Sequence, residues 1–277
     1  VELASYPVEF LILFALALLA AGVVAGILAG LLGVGGGIVI VPVLFHLFTL
    51  LNIDDSVRMH MAVGTSLATI IPTSIRSMLS HRQKGAVDES ILRAWAAPIL
   101  VGVIVGTFAA DRASGQTLTL IFAVIALAVA VNMAYGREEW RLGEGLPQHS
   151  GRWALAGSMG FFSTLMGIGG GTFGVTAMTL YGVAIHRAVG TAAGLGLLIS
   201  VPATIGFILS GSGVPLRPPL SIGYVNLLGF ALIVPATVLA APLGVRLAHR
   251  LDRTTLRRAF AVFLALTSIR MFWDLWA

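Results

Sequence analysis

The sequence contains no cysteine and very little charge. Without cysteine there are no disulfides and no thiolate chemistry, which leaves the compartment open. Charged residues make up 10% of the 277 positions. No stretch is long and polar enough to form a separate soluble domain, and the longest polar connection, residues 137 to 152, reads as a loop. The first apolar run has no basic residue ahead of it and is far longer than the apolar part of a secretory signal, so no such signal is expected. All twelve Asp and Glu lie in loops or at the ends of apolar runs. No carboxylate therefore sits mid-membrane to bind a coupling proton or cation. A buried carboxylate pair, a His-Glu zinc motif and a catalytic triad are also missing, which leaves an enzyme without machinery. Neither a cofactor nor a metal site is expected.

What is present is apolar. At 57% hydrophobic and a mean hydropathy of +0.96, the chain reads as an all-α polytopic membrane protein. Its net charge of +5 bears on which loops face the cytoplasm rather than on nucleic acid. Apolar runs cover residues 7 to 32, 38 to 51, 59 to 80, 91 to 110 and 117 to 135 in the first half. The second half repeats the plan with runs at 153 to 166, 172 to 183, 188 to 209, 221 to 243 and 259 to 276.

Two short glycine-rich breaks organise the whole. Gly33 to Gly37 and Gly167 to Gly171 match with a constant shift of 134 positions, and each interrupts a run that otherwise reads as one helix. Downstream, His60, Gly64 and Thr65 match His186, Gly190 and Thr191 with a shift of 126, and Phe122 and Met133 match Phe260 and Met271 with a shift of 138. The chain is therefore a duplication, with residues 1–145 as the first transmembrane repeat and 146–277 as the second.

Charge decides the expected orientation of the repeats. If each broken run crosses the membrane once, the 17 Lys and Arg divide nine to eight between the two faces. If each is a re-entrant hairpin followed by three crossings, the repeats are inverted, and only Arg58, Arg112, Arg217 and Arg270 of the 17 lie opposite the rest. The positive-inside rule favours the second arrangement, with the large group cytoplasmic and both termini outside. The first run is long for half a hairpin.

In lipid, non-helical backbone survives only where protein or a polar cavity satisfies it, and matched breaks in two repeats point to a transporter's binding site. The helices that follow the breaks offer N–H groups and the positive end of a helix dipole. Glycine lets an anion approach that backbone. Gly35, Gly36 and Gly37 with Gly169, Gly170, Gly171 and Thr172 are the expected anion contacts, and Thr65, Ser66 and Thr191 are placed to add hydroxyls. Arg76 and His46 are expected in a vestibule or gate. The alternatives are close helix packing for the glycines, interhelical hydrogen bonds for the hydroxyls, and a snorkelling Arg76.

The run Gly30-Leu31-Leu32-Gly33-Val34-Gly35-Gly36-Gly37 with Pro42, followed by Ala62-Val63-Gly64-Thr65-Ser66, resembles the first-half signature of the TauE/SafE sulfite-exporter family. Gly167 to Gly171 and Ala188-Val189-Gly190-Thr191 are similar to its second-half copy. The resemblance implies a prokaryotic inner-membrane secondary transporter for sulfite, organosulfonates or related small anions. A passive anion channel and an uptake permease for another small organic anion are the alternatives. The partners implied are the small anion and the lipid bilayer, with a homodimer admitted and nucleic acid excluded. One departure is that Thr176 stands where the first hairpin has Pro42, so the two half-sites are not equivalent.

The charge split yields a direct test in a chain free of native cysteine. Ser56→Cys and Ser212→Cys are expected to react with a membrane-impermeant maleimide added outside spheroplasts; labelling of either only after the cells are opened contradicts the inverted arrangement.

Overall fold

The computed structural model describes residues 7–32, 36–135, 141–247 and 253–276. They form helices α1 (Val8–Leu32), α2 (Gly37–Leu50), α3 (Asp55–Arg82), α4 (Glu89–Arg112) and α5 (Gly115–Tyr135). The second half supplies α6 (His149–Met166), α7 (Gly171–Leu180), α8 (Ile185–Ser210), α9 (Leu227–Leu247) and α10 (Arg253–Trp276). Between α8 and α9 a two-stranded antiparallel hairpin joins β1 (Ser221–Ile222) to β2 (Val225–Asn226), where the sequence reads as the start of an apolar run.

Local chemistry sets several of these boundaries. Asp54 caps α3 by accepting the Ser56 N–H at 2.9 Å, and Asp88 caps α4 by accepting the N–H groups of Ser90 and Ile91. The two short helices stop alike. Ile53 N–H bonds Phe48 C=O and Asn52 N–H bonds Thr49 C=O at the end of α2, while Val183 bonds Met178 and Gly182 bonds Thr179 at the end of α7. Each is a 6→1, 5→2 pair around a left-handed residue, Asn52 at φ 52° or Gly182 at φ 84°, which turns the chain into the next long helix.

Both broken runs double back. Gly36 brings the chain to Ala25, with the position of a Cβ 2.9 Å from the Ala25 carbonyl, and Phe48 and Leu51 share a small cavity with Phe14. α2 thus retraces α1, although α1 itself is 25 residues long and extends past the point of return. In the second half the Leu142 N–H bonds the Leu180 carbonyl at 2.7 Å, so α7 ends beside the approach to α6.

The halves then exchange partners. α1 lies along α9 in the same direction, with Gly22 on Ile233, Gly26 on Thr237 and Gly244 on Ile27. α6 lies along α4 in the same way, with Gly160 on Ile99 and Gly106 on Phe161. α5 packs on α10. At the centre α3 meets α8 head to tail, Gly196 sitting against Ile70 and Ser74, and Gly190 against Ala86 just beyond the end of α3.

Among the described residues, five helices are long and apolar enough to cross a membrane: 11–31 of α1, then α4, α5, α8 and 227–244 of α9. Their outer faces carry large apolar side chains, among them Val105, Phe108, Val124 and Leu239, as lipid contact demands. α3 has 28 residues, enough to span about 40 Å, but Thr65, Ser66, Thr69, Thr73, Ser74 and Ser77 interrupt its apolar side chains. All six are buried, because protein rather than lipid faces them.

The α4–α6 seam is tight enough that a Cβ on Gly102 would overlap the Gly157 carbonyl oxygen. Gly102→Val is expected to lower the thermal unfolding midpoint in detergent, at a cost of about 1–3 kcal/mol for overpacking. Val105→Ala, on the 52% exposed side chain of the same helix, is expected to leave it unchanged.

Candidate functional site

The two glycine breaks meet. A Cβ on Gly37 would overlap the Gly167 carbonyl oxygen and stand 3.0 Å from the Ser66 hydroxyl. Ser66, wholly buried on α3, donates to that same carbonyl at 2.7 Å. One hydroxyl therefore satisfies an acceptor of the second break while lying against the first. Gly36 has φ 75° and Gly167 φ 65°, left-handed values that suit glycine where the chain reverses. Gly36, Gly37 and Gly167 to Gly171 are all buried. Gly33 and Gly35 lie outside the described residues.

Each break ends one helix and opens another. α6 closes with Ile168 N–H on Ser163 C=O and Gly167 N–H on Thr164 C=O. α7 opens at Gly171, and its Gly174 N–H reaches back to Gly170 C=O at 2.7 Å. The N–H groups ahead of Gly174 precede the helical ladder and form the positive end of the α7 dipole. Thr172 lies among them, 9% exposed, with its hydroxyl unpartnered.

Thr65 and Thr191 hold matched positions away from the breaks. The Asn226 N–H donates to Thr65 Oγ1 at 2.9 Å, and the Asp88 N–H donates to Thr191 Oγ1 at 2.9 Å. Beside them, Gly64 accommodates the Tyr224 carbonyl and Gly190 the Ala86 carbonyl. Each threonine thus ties the connection entering α9 or α4 to a central helix of the other half. Its own O–H proton remains available for a further acceptor.

The ties differ in their surroundings. Tyr224 stacks on His60 at 4.9 Å, and His60 Nε2 lies 3.0 Å from the Ala110 carbonyl. Asp88 pairs with Arg187 at 2.8 Å. The Ser90 hydroxyl, then the N–H groups of Ile91 and Ser90 and the Arg187 charge, hold the Asp88 carboxyl below the ordinary aspartate value. His60 is buried and its sequence counterpart His186 is exposed, so the repeated histidines have different settings.

The two residues expected in a vestibule stand apart from the breaks. Arg76 is exposed on α3. His46 sits on α2, nine residues after Gly37, with Nδ1 3.6 Å from Asp274 Oδ2, while the other carboxylate oxygen, Oδ1, pairs with Arg270. Sequence reasoning gave no role to four polar participants. Thr73 donates to Thr237 Oγ1 at 2.8 Å, joining α3 to α9. Asn226 accepts the Gly229 N–H at the start of α9. Ser163 is fully buried and its hydroxyl unpartnered, one helical turn before Gly167. The shift of 134 already pairs Ser163 with Ala29, a difference readable beside that of Thr176 and Pro42.

The sequence profile of the Sulfite exporter TauE/SafE family matches residues 18–271. A probable membrane transporter protein of Haemophilus influenzae is 34% identical over 262 residues, covering 94% of this chain and 98% of that protein. A probable membrane transporter protein of Methanocaldococcus jannaschii is 26% identical over 277 residues, covering 95% and 97%. One from Bacillus subtilis is 25% identical over 285 residues, covering 96% and 98%.

Removing a tying hydroxyl leaves a backbone N–H without its partner, at a cost of about 1–3 kcal/mol. Thr65→Val and Thr191→Val are each expected to lower the unfolding midpoint in detergent, while Thr65→Ser and Thr191→Ser keep it near wild type. Differential scanning fluorimetry on the purified variants checks this, and an unchanged midpoint in both valine variants would refute a role in holding the halves together.

Proposed function

Because the chain belongs to the sulfite exporter TauE/SafE family, we propose that it is a secondary transporter of small oxyanions of the sulfite and organosulfonate class. The observation that carries this reading is the meeting of the two breaks, where Gly37 abuts the Gly167 carbonyl under the Ser66 hydroxyl. The backbone opens there in both halves at one buried locus, and helix α7 directs its positive end to it. Hydroxyls and amides dominate the polar groups, and no carboxylate lies among them to repel an anion.

The repeats are inverted in this proposal. α3 and α8 are equivalent by sequence, and they pack head to tail. In a parallel duplication equivalent helices point the same way; in an inverted one they oppose each other. The return of α2 along α1 and of α7 towards the start of α6 supports hairpins that enter and leave on one face. Arg82, Lys84 and Arg93 then lie at the cytoplasmic face of a prokaryotic inner membrane, and the termini lie outside.

Transport proceeds by alternating access around the joined breaks. Their burial supports a carrier with an occluded site over an open pore. An inside-negative potential drives an anion outward with about 2.3 kcal/mol per charge per 100 mV, so export needs no coupling ion.

The test is charge movement in proteoliposomes on a solid-supported membrane, with sulfite, sulfate, thiosulfate, taurine, sulfoacetate and lactate offered in turn. A saturable current for sulfite or a sulfonate, lost in correctly folded Gly36→Leu and Gly170→Leu, is the expected result. Saturable flux that ignores membrane potential and follows a pH or sodium gradient would overturn the uncoupled mechanism.

A further inference from the structure

The two breaks are alike in backbone and unlike in side chains. On the α6–α7 side stand Ser163, Thr164, Thr172 and Thr176; the shift of 134 pairs them with Ala29, Gly30, Ile38 and Pro42. Around the break, the second hairpin thus carries these four hydroxyls at positions where the first carries none.

Two of those hydroxyls are committed to their own helix. Thr164 donates to the Gly160 carbonyl at 2.8 Å and Thr176 to the Thr172 carbonyl at 2.8 Å, the usual i−4 bond. The other two are not. Ser163 is 0% exposed and Thr172 9% exposed, and neither hydroxyl has a partner. Thr172 has an ordinary reason to look outward, because four residues back the chain is at Ile168, before the helix begins. Ser163 has the Met159 carbonyl one turn behind it and does not use it.

The packing of the hairpin places both near its tip, Ser163 three residues before the end of α6 and Thr172 second in α7. The Met159 Cε lies 3.3 Å from where a Gly174 Cβ would stand, so that face of α6 covers α7. Ser163 follows Met159 by one turn on the same face, and Gly170 precedes Gly174 by one turn. Since the helices run in opposite directions, Ser163 lies level with the opening turn of α7, where Thr172 and the free N–H groups are. Across the molecule, Ala29 is 1% exposed and Ile38 0% exposed, so the side chains at the same level of the first hairpin are apolar.

Resting on the oxyanion reading above, we infer that the anion is held at one hairpin only, at the N-terminus of α7, with the Ser163 and Thr172 hydroxyls and the first α7 amides as its donors. The first hairpin supplies the wall: Gly37 closes against Gly167 and contributes no side-chain donor. The site is one-sided within a two-sided scaffold. Its ligand is an anion rich in acceptors, such as a sulfite or sulfonate head.

Equilibrium binding of sulfite, held anaerobic, and of methanesulfonate to the full chain in nanodiscs tests this. Ser163→Ala and Thr172→Val are each expected to raise the dissociation constant about tenfold or more, as befits a lost hydrogen bond to a charged group. Thr172→Ser keeps the hydroxyl and is expected within about threefold of wild type, and Ile38→Thr is expected to restore nothing to Thr172→Val. If Thr172→Val does not fold, Ser163→Ala carries the test alone. Unchanged binding by folded Ser163→Ala and Thr172→Val, with wild type binding saturably, refutes the one-sided site and leaves the oxyanion reading standing. Equal loss in Thr172→Ser and Thr172→Val refutes the hydroxyl's role. If wild type binds neither anion, the oxyanion reading falls, and the one-sided site falls with it.

Discussion

A peptide group in hydrocarbon has no water to turn to, and each one left unpaired costs several kcal/mol. The two glycine breaks are admitted to the interior because the protein itself closes around them. Gly167 offers its carbonyl to Ser66, and Gly37 lies against the same oxygen, a contact that a methyl group would forbid. Much else serves this requirement. α3 must pass beside the junction to deliver Ser66, so it is sheathed by other helices and can carry hydroxyls where a lipid-facing helix would carry leucine. Elsewhere in the bundle helices approach one another on glycine: Gly22, Gly26 and Gly244 between α1 and α9, Gly102, Gly106 and Gly160 between α4 and α6.

The chemistry available at the junction follows from what such an enclosure tolerates. Ionised side chains are expensive there, whereas helix ends and hydroxyls bring partial charges that are already part of the fold. The result is a region that donates hydrogen bonds and carries no fixed charge. Among the described residues the ion pairs Arg187 with Asp88 and Arg82 with Glu89 stand at connections between long helices, and Arg58 with Asp55 and Arg270 with Asp274 stand near helix ends. There they fasten loops and leave the junction free of formal charge.

Much of this was legible from residue order. Glycines in register announce a backbone break that both halves share, and the apolar runs anticipate the helices that the structure contains. Thr65 and Thr191 were legible as a matched pair. Their partners were not, because the amides of Asn226 and Asp88 come from distant connections, and an amide leaves no mark in a sequence. The β1–β2 hairpin was hidden because Ser221 to Asn226 differs little in hydropathy from the start of a helix. Ser163 was hidden for another reason. A serine near a helix end usually bonds its own backbone, and only the closeness of Met159 to Gly174 reveals that this one lies level with the α7 opening.

The exchange of partners between the halves bears on how the chain comes to exist. α1 is the first described helix to be synthesised, yet the helix it lies along, α9, begins only at Leu227. Until then the glycine seam at Gly22 and Gly26 has no Thr237 to receive it and must wait among lipids or temporary neighbours. The first half, finished and inserted, remains an open clasp. The last two helices lock it, which makes assembly a late and concerted event rather than a sequence of two independent domains. Motion inherits the same constraint, since a helix bundle clasped in this way divides along its packing seams and not between the first and second halves of its chain.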